Sequence, residues 1–481
     1  MRHMISFRTK TLARLGGLSI LLAIILPAAS VLAEGQLPIG VSIDPLVSRL
    51  RDKALHDDIA WEIVESVTTE VGPRPDGSEA EARARTWAVA KLKQLGFQNV
   101  RIESYTLPVW QRGQETAEVV SPFPQPLHLA ALGDSGATPA EGLTLPVVFF
   151  PTFNDLLLAQ EGSLKGKIAF VSNHMKPTQD ASSYGAEGQP RFRGPNIAAK
   201  KGAAAIVIRS IGSDHSNAPH TGGTHFDDGV TPIPAAALSV ADAGNLERMI
   251  GRSKVPVVMH LTLTPKQLGN RESGNVVGDL PGNDSKTGVI VVGGHLDSWD
   301  FGTGALDDGA GMAITAAAAK IVHNAGPHRR TIRVVWFGDE ETGGYGGKAY
   351  AKAHVNERHD LAAESDLGAD RIWQFKTNLP ENARAITDRL AVALSPLGIV
   401  RSREIAGDGT DVTPIFKNGV PAVDLDQDAS RYFNYHHTSE DVLDRIDLEQ
   451  LRQNVAAWTA MLAIVANAPE EIGSVTPKAK P

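Results

Sequence analysis

Histidine and carboxylate side chains collect at three points in the second half of the sequence. His295-Leu-Asp297 ends an apolar run from Val289, Asp307-Asp308-Gly309 follows, and Asp339-Glu340-Glu341 ends a second apolar run from Thr331 to Phe337. Asp366 and His437 lie further along. Singly these are weak signals, because an Asp pair often opens a helix and a Glu pair often lies on a solvated face. Here two of the clusters directly follow β-branched runs that read as buried strands, and a buried carboxylate without a partner is costly. In an open α/β sheet, ligands bind beyond the carboxyl ends of the strands, which is where these clusters fall.

The sequence contains no cysteine, so a thiolate ligand, a cysteine nucleophile and a disulfide are all excluded. A metal would be held by imidazole and carboxylate, a donor set that suits zinc, with cobalt or manganese as substitutes. Five residues form the candidate ligand set: His295, Asp307, Glu341, Asp366 and His437. For two ions, Asp307 is the natural bridge, with His295 and Asp366 completing one site and Glu341 and His437 the other. Such ions sit roughly 3.5–4 Å apart and hold a water of lowered pKa between them. Asp297 is spaced to orient the His295 imidazole, and Asp441 to support the side of His437. Glu340, adjacent to a ligand, can point the other way and act as general base toward that water. A Gly-x-Ser-x-Gly elbow is absent, so no serine nucleophile is expected.

These groups need a scaffold of alternating strands and helices. Val289 to Gly293 and Thr331 to Phe337 read as buried strands, Asp308 to Asn324 as an Ala-rich helix between them, and Leu448 to Ala466 as a final helix. Ile59 to Val71 has helical spacing, and Ser78 can cap a helix running from about Glu79 to Leu95. Residues 34–57 read as a lead-in with little periodicity. From about Pro122 to Pro265 the chain turns rich in Gly, Pro and Ala with short strand-like runs, as a separate β-rich unit would. His215, His220 and His225 share a Gly-rich loop there and read as surface residues. The expected fold is α/β: a mostly parallel mixed sheet flanked by helices, with an inserted β-rich domain.

The chain of 481 residues is 42% hydrophobic and carries a formal net charge of −8. It is long enough for two folded units, and no basic stripe suggests nucleic acid. The start resembles an export signal: Arg2, Arg8, Lys10 and Arg14, an apolar stretch from Leu15 to Leu26, and small residues up to Ala33. Cleavage near Ala33 predicts an exported protein, periplasmic or secreted, with no membrane segment left; the alternative is an uncleaved membrane anchor, because Leu15 to Ala33 is nearly long enough to span. The expected division is a leader at 1–33, a first catalytic part at 34–121, the insert at 122–268, the main catalytic part at 269–470 and a flexible tail at 471–481.

At this level of detail the chain resembles the M28 family of di-zinc exopeptidases, most closely its carboxypeptidase Q branch. The resemblance rests on Gly294-His-Leu-Asp-Ser-Trp-Asp300, Gly304-Ala-Leu-Asp-Asp-Gly-Ala-Gly311, Glu340-Glu341, Glu364-Ser-Asp366 and Tyr435-His-His-Thr-Ser-Glu-Asp441, in that order. Gly72-Pro-Arg and Gly77-Ser78 resemble the family's N-terminal signature, and Pro219-His-Thr-Gly222 resembles the branch. The insert is similar to a protease-associated domain through Gly166-Lys-Ile-Ala-Phe-Val171 and Pro232-Ile-Pro-Ala-Ala-Ala-Leu238. The resemblance implies a zinc-exopeptidase (phosphorylase/hydrolase-like) fold, two zinc ions per chain on the five ligands above, and Glu340 as general base. It also implies His437 rather than His436 as ligand. His436 stands where several members have a tyrosine, so Tyr435 and His436 are both candidates for stabilising the oxyanion. Asp411 matches a position near the substrate pocket. Short peptides with a free amino end, dipeptides above all, are the implied substrates, and a homodimer the implied assembly. A broad aminopeptidase, a glutaminyl cyclase or aminoacylase on the same fold, and a non-catalytic binding protein are the alternatives.

Overall fold

The computed structural model describes residues 40–476; the expected leader, its cleavage site and residues 477–481 lie outside them. Two eight-stranded sheets carry the fold. In the first, the strands run in the order Gln98–Gln111, Lys266–Leu280, Ile332–Phe337, Val289–His295, His359–Glu364, Ala422–Gln427, Ile372–Asn378 and Val400–Arg401. Its centre is parallel, while Lys266–Leu280 and Ile372–Asn378 pair antiparallel toward the edges. This is the expected mostly parallel mixed sheet.

The central strands read as unbroken apolar runs because both of their faces are buried. Ile290, Val292, Val334 and Trp336 belong to the core under helices Ala310–Asn324 and Leu448–Asn467. Val291, Val335 and Phe337 face the opposite core, with Tyr350 of helix Tyr345–Ala353. Trp336 is fully buried, stacks on Trp87 at 5.6 Å and donates its indole N–H to the Met312 carbonyl at 3.1 Å. Alanines on every side of Ala310–Asn324 let the sheet and neighbouring helices close on it without voids.

The strand register fixes the place of the chemistry. Val289–His295 lies between Ile332–Phe337, which follows it in sequence, and His359–Glu364, to which the chain then crosses over. The direction of connection reverses there, so a crevice opens at the carboxyl end of Val289–His295. Register pairs His295 with Phe337 and Gly293 with Glu364. The segments leaving all three strands, with His295, Glu340-Glu341 and Asp366, therefore emerge side by side.

The second sheet runs Gln125–Leu127, Glu115–Ser121, Val258–Leu263, Leu143–Phe150, Ile168–Val171, Ala205–Arg209, Ala235–Leu238 and Leu129–Ala131. It begins at Glu115, ahead of the composition change at 122, because Glu115–Ser121 pairs with Val258–Leu263. The chain enters and leaves this unit along one antiparallel ribbon, Gln98–Gln111 against Lys266–Leu280, with Gln111 opposite Lys266.

Three local expectations are corrected. Residues 34–57 contain a helix, Pro45–Ala54, started by Asp44, whose carboxylate accepts from the Leu46 N–H, and by a proline in the first turn. The Ala-rich helix begins at Ala310, not Asp308, because Asp307 and Asp308 have non-helical φ/ψ within a π-type turn, Ala305–Gly309. The tail is tied down through its described part: Ile472 is buried, Arg358 donates to its carbonyl, and Arg329 and Arg358 bond Glu471.

Helix Tyr345–Ala353, which follows the Glu340-Glu341 turn, ends at His354. The His354 ring joins Glu103 of the edge strand at 3.0 Å and Glu357 at 2.7 Å. Those two contacts push the imidazole up to about 9. Burial opposes ionisation of Glu357, but His354 and Arg333 outweigh it and hold that carboxyl at about 2. A raised imidazole pKa stabilises the fold fully below its ordinary value of 6.5 and loses that effect as pH rises through about 9. The thermal unfolding midpoint is therefore expected to fall across that window, and His354→Gln to flatten the slope.

Candidate metal centre

His295 ends its strand fully buried, and its ring is fixed at both nitrogens. Nδ1 faces the Asp297 main-chain carbonyl at 3.1 Å, while Nε2 faces Asp307 Oδ1 at 3.0 Å and Asp366 Oδ1 at 3.4 Å. Asp297 Oδ1 lies 3.7 Å from the same Nδ1, so both the carbonyl and the carboxylate of Asp297 face this side of the ring. The carboxylate also accepts from the Glu340 and Glu341 N–H groups at 3.2 and 3.3 Å. One residue therefore sets both the imidazole and the two-glutamate turn.

The other Asp307 oxygen faces the second half of the cluster. Oδ2 lies 3.3 Å from His437 Nε2, which is itself 2.9 Å from Glu341 Oε2. The Asp307 carboxylate thus stands between two sets, one with His295 and Asp366, the other with His437 and Glu341. Donor atoms of His295, Asp307 and Glu341 lie within 4.8 Å of one another, as do those of His295, Glu340 and Asp366.

The turn carrying Asp307 is anchored on three sides. Asp308 accepts from the His295 N–H at 3.0 Å and the Gly311 N–H at 2.9 Å. A Cβ on Gly311 would collide with the Ser365 carbonyl and the Asp308 carboxylate, so only glycine allows this approach. Asp441 Oδ1 accepts from the Leu306 N–H at 2.6 Å, so Asp441 supports the Asp307 turn rather than His437.

The remaining sequence candidates divide. His436 is brought to the cluster: its ring stacks on His437 at 3.5 Å, and Nε2 lies 3.6 Å from Asp307 Oδ2. Tyr435 is not; its ring meets the Arg445 guanidinium at 5.1 Å. Asp411 is fully buried with no hydrogen-bond partner on either carboxylate oxygen, and its N–H donates to Glu364 Oε2 at 3.0 Å. Burial, with Glu364 and Glu340 nearby, pushes the Asp411 carboxyl well above the usual range.

Several further residues complete the site without having been assigned a role in it from the sequence. Arg74 reaches across to the carbonyls of Leu296, Thr303 and Gly304 and pins the loop after His295. Trp299 donates its indole N–H to Glu341 Oε2 at 2.5 Å. His220, expected at the surface, is 1% exposed; it bonds the His436 carbonyl at 2.7 Å and Asp214 at 3.1 Å. The distant partners that bury it could not be read from its own loop. His225, by contrast, is exposed as expected.

The donor set fits a divalent cation. Asp307 Oδ2 and Glu341 Oε1 are buried without a hydrogen-bond partner. Asp297, Asp307, Asp308, Glu340, Glu341 and Asp366 crowd together, and such buried negative charge demands compensation. Burial alone would depress the His437 imidazole, but Glu341 and Asp307 overcome it and push it up to about 9. Burial and the neighbouring carboxylates Asp366 and Glu341 push Glu340 well above the usual carboxylate range. Beside Glu341 opens a cavity of about 930 Å³ lined from the first sheet's side by Pro75, Trp299 and Tyr345 and from the second unit by Gly133, Thr224 and His225.

Comparison with known proteins gives the family. Residues 275–462 match peptidase family M28. Carboxypeptidase Q from Bos taurus and from Homo sapiens are each 34% identical over 403 residues, covering 83% of this chain and 84% of theirs. The crystal structure of a peptidase M28 precursor from Shewanella amazonensis superposes with a TM-score of 0.87 at 44% identity, covering 90% of this chain and 98% of that one. A zinc aminopeptidase from Bacillus subtilis shares the fold at a TM-score of 0.62 and 20% identity, covering 85% of this chain and 95% of its own. The chain belongs to peptidase family M28 and is a metallopeptidase.

Proposed function

We propose that this protein is an exported di-zinc exopeptidase that hydrolyses dipeptides and other short peptides with a free amino end. The observation that carries the reading is the Asp307 carboxylate, with one oxygen toward His295 and the other toward His437. His295, Asp366 and Asp307 would hold one ion; His437, Glu341 and Asp307 would hold the other. Zinc at such a centre supplies Lewis-acid polarisation of a carbonyl and lowers the pKa of water.

Glu340 is the proton carrier. Its backbone N–H is held by Asp297, and its carboxyl shares a 4.8 Å cluster with His295 and Asp366. As the water oxygen bonds to the scissile carbonyl carbon, Glu340 takes the water's proton; as the C–N bond breaks, it delivers that proton to the leaving nitrogen. His436, rather than Tyr435, is the candidate donor to the carbonyl oxygen that gains charge. The cavity beside Glu341, about 930 Å³, lies in the range of small-ligand sites and is walled by both units, which favours short peptides. Export rests on the basic start, apolar stretch and small residues before Ala33. Among the described residues no helix is long and apolar enough to cross a membrane.

Release of free amino acids from an unblocked dipeptide, its N-acetyl form, its C-amide and a tetrapeptide tests the substrate class. The unblocked dipeptide is expected to be cleaved and the acetyl form to resist. Equal cleavage of the amide and tetrapeptide would make the enzyme a broad aminopeptidase instead. Glu340→Gln is expected to lower kcat by about 10²–10⁴-fold with metal content unchanged; full activity would remove Glu340 from the mechanism. Elemental analysis after dialysis is expected to give two zinc ions per wild-type chain, with one ion retained by Asp366→Ala and one by Glu341→Ala.

A further inference from the structure

The segment Pro219-His-Thr-Gly222 belongs to the second-sheet unit, yet it touches the His436-His437 backbone and the His437 ring. The Thr221 N–H donates to the His437 carbonyl at 3.1 Å, and His220 Nδ1 meets the His436 carbonyl at 2.7 Å. The Thr221 carbonyl lies 3.3 Å from His437 Nδ1. Nδ1 is the nitrogen facing this carbonyl, and Nε2 is the nitrogen turned toward Glu341 and Asp307. Arg191 Nη1 lies 3.3 Å from the same Nδ1 and 3.5 Å from the Thr221 carbonyl, so carbonyl and guanidinium together bracket that edge of the ring.

The carbonyl is itself held rigidly. Thr221 is fully buried; its hydroxyl donates to the Ala131 carbonyl at 2.8 Å and accepts from Arg112 at 2.9 Å. The His220 N–H is bound by Ser210 Oγ at 2.8 Å, and Gly133 N–H donates to the Gly222 carbonyl at 3.0 Å. Gly222 has φ +138°, and a Cβ there would run into the Arg191 side chain, so the turn that presents Thr221 requires glycine. Tyr184, from the same unit, stacks on Phe433 at 4.5 Å and closes edge-on over His436 at 5.2 Å. His437 has a left-handed φ of 60°, a backbone state that its surroundings must maintain.

We infer that the second-sheet unit completes the metal centre: Thr221, held by Arg112 and seconded by His220, is a positioning residue that fixes the His437 imidazole for metal binding. The unit is then more than a wall of the substrate cavity, because it cannot swing away without releasing a ligand. This inference rests on the metal reading above, and its test separates the two. Cobalt(II) is titrated into the metal-free full chain and followed by its visible absorption. His437→Ala identifies the step that depends on this imidazole. Thr221→Val and His220→Ala are expected to weaken that step by about 10–100-fold and leave any other step unchanged. Thr221→Ser, which keeps the hydroxyl, is expected to restore it, as is His220→Asn, which keeps an N–H for the His436 carbonyl. Circular dichroism of the metal-free variants checks folding, and either residue pair alone suffices. If that step keeps its wild-type affinity in Thr221→Val and His220→Ala, the inference is overturned. If wild type binds a single ion, the two-ion reading fails, while weakening of that ion by Thr221→Val still supports this inference.

Discussion

Buried negative charge at the end of the central strand is the constraint around which this molecule is arranged. Asp307 stands between two imidazole–carboxylate sets, and Glu340, Glu341 and Asp366 add partly buried carboxylates beside it. In a low-dielectric site such groups must be neutralised by protons, cations or directed N–H donors. Asp308 is satisfied by the His295 and Gly311 N–H groups, Asp297 by those of Glu340 and Glu341, and Asp441 by that of Leu306. Asp307 Oδ2 and Glu341 Oε1 are left over, on the side where metal chemistry would take place.

The sheet makes that arrangement possible by register. Three strands end level with one another at the switch point, and each delivers part of the site without a long loop. Asp366 follows within two residues of its strand's end, so the backbone of the sheet limits how far the ligands can drift. Anchors from far away in sequence complete the order: Arg74 on the loop after His295, Trp299 on Glu341 and Thr221 on His437. Each contact joins elements that would otherwise move separately, and a site built on rigid elements holds the geometry that catalysis needs.

Much of this was readable from residue type and spacing. Apolar runs such as Val289 to Gly293, and Thr331 to Phe337 interrupted only by Arg333, read as buried strands, and Ser78 ahead of Glu79 announces a helix start that the structure bears out with a bond to the Glu81 N–H. The helix Pro45–Ala54 is short and polar on average, and its apolar spacing, Val47, Leu50 and Ala54, spans barely two turns behind the Asp44 cap and Pro45. The start of Ala310–Asn324 was misread because Asp-Asp-Gly resembles a cap. Contacts with His295, Gly311 and Asp441 instead draw the two aspartates out of helical φ/ψ.

What the sequence determined by itself was the chemistry: imidazole and carboxylate without sulfur, at the ends of buried strands. These follow from residue identity and local period, which do not depend on where the chain folds back. The tertiary structure decided which groups meet. It brought His436 rather than Tyr435 to the cluster, set both the carbonyl and the carboxylate of Asp297 beside the His295 ring while that carboxylate also accepts from the Glu340 and Glu341 N–H groups, and turned His220 from a loop residue into a buried link. Those outcomes depend on contacts such as that between His220 and His436, 216 residues apart, and on which of two adjacent side chains a turn directs inward. Neither quantity is encoded in spacing along the chain; both emerge only when packing fixes the backbone.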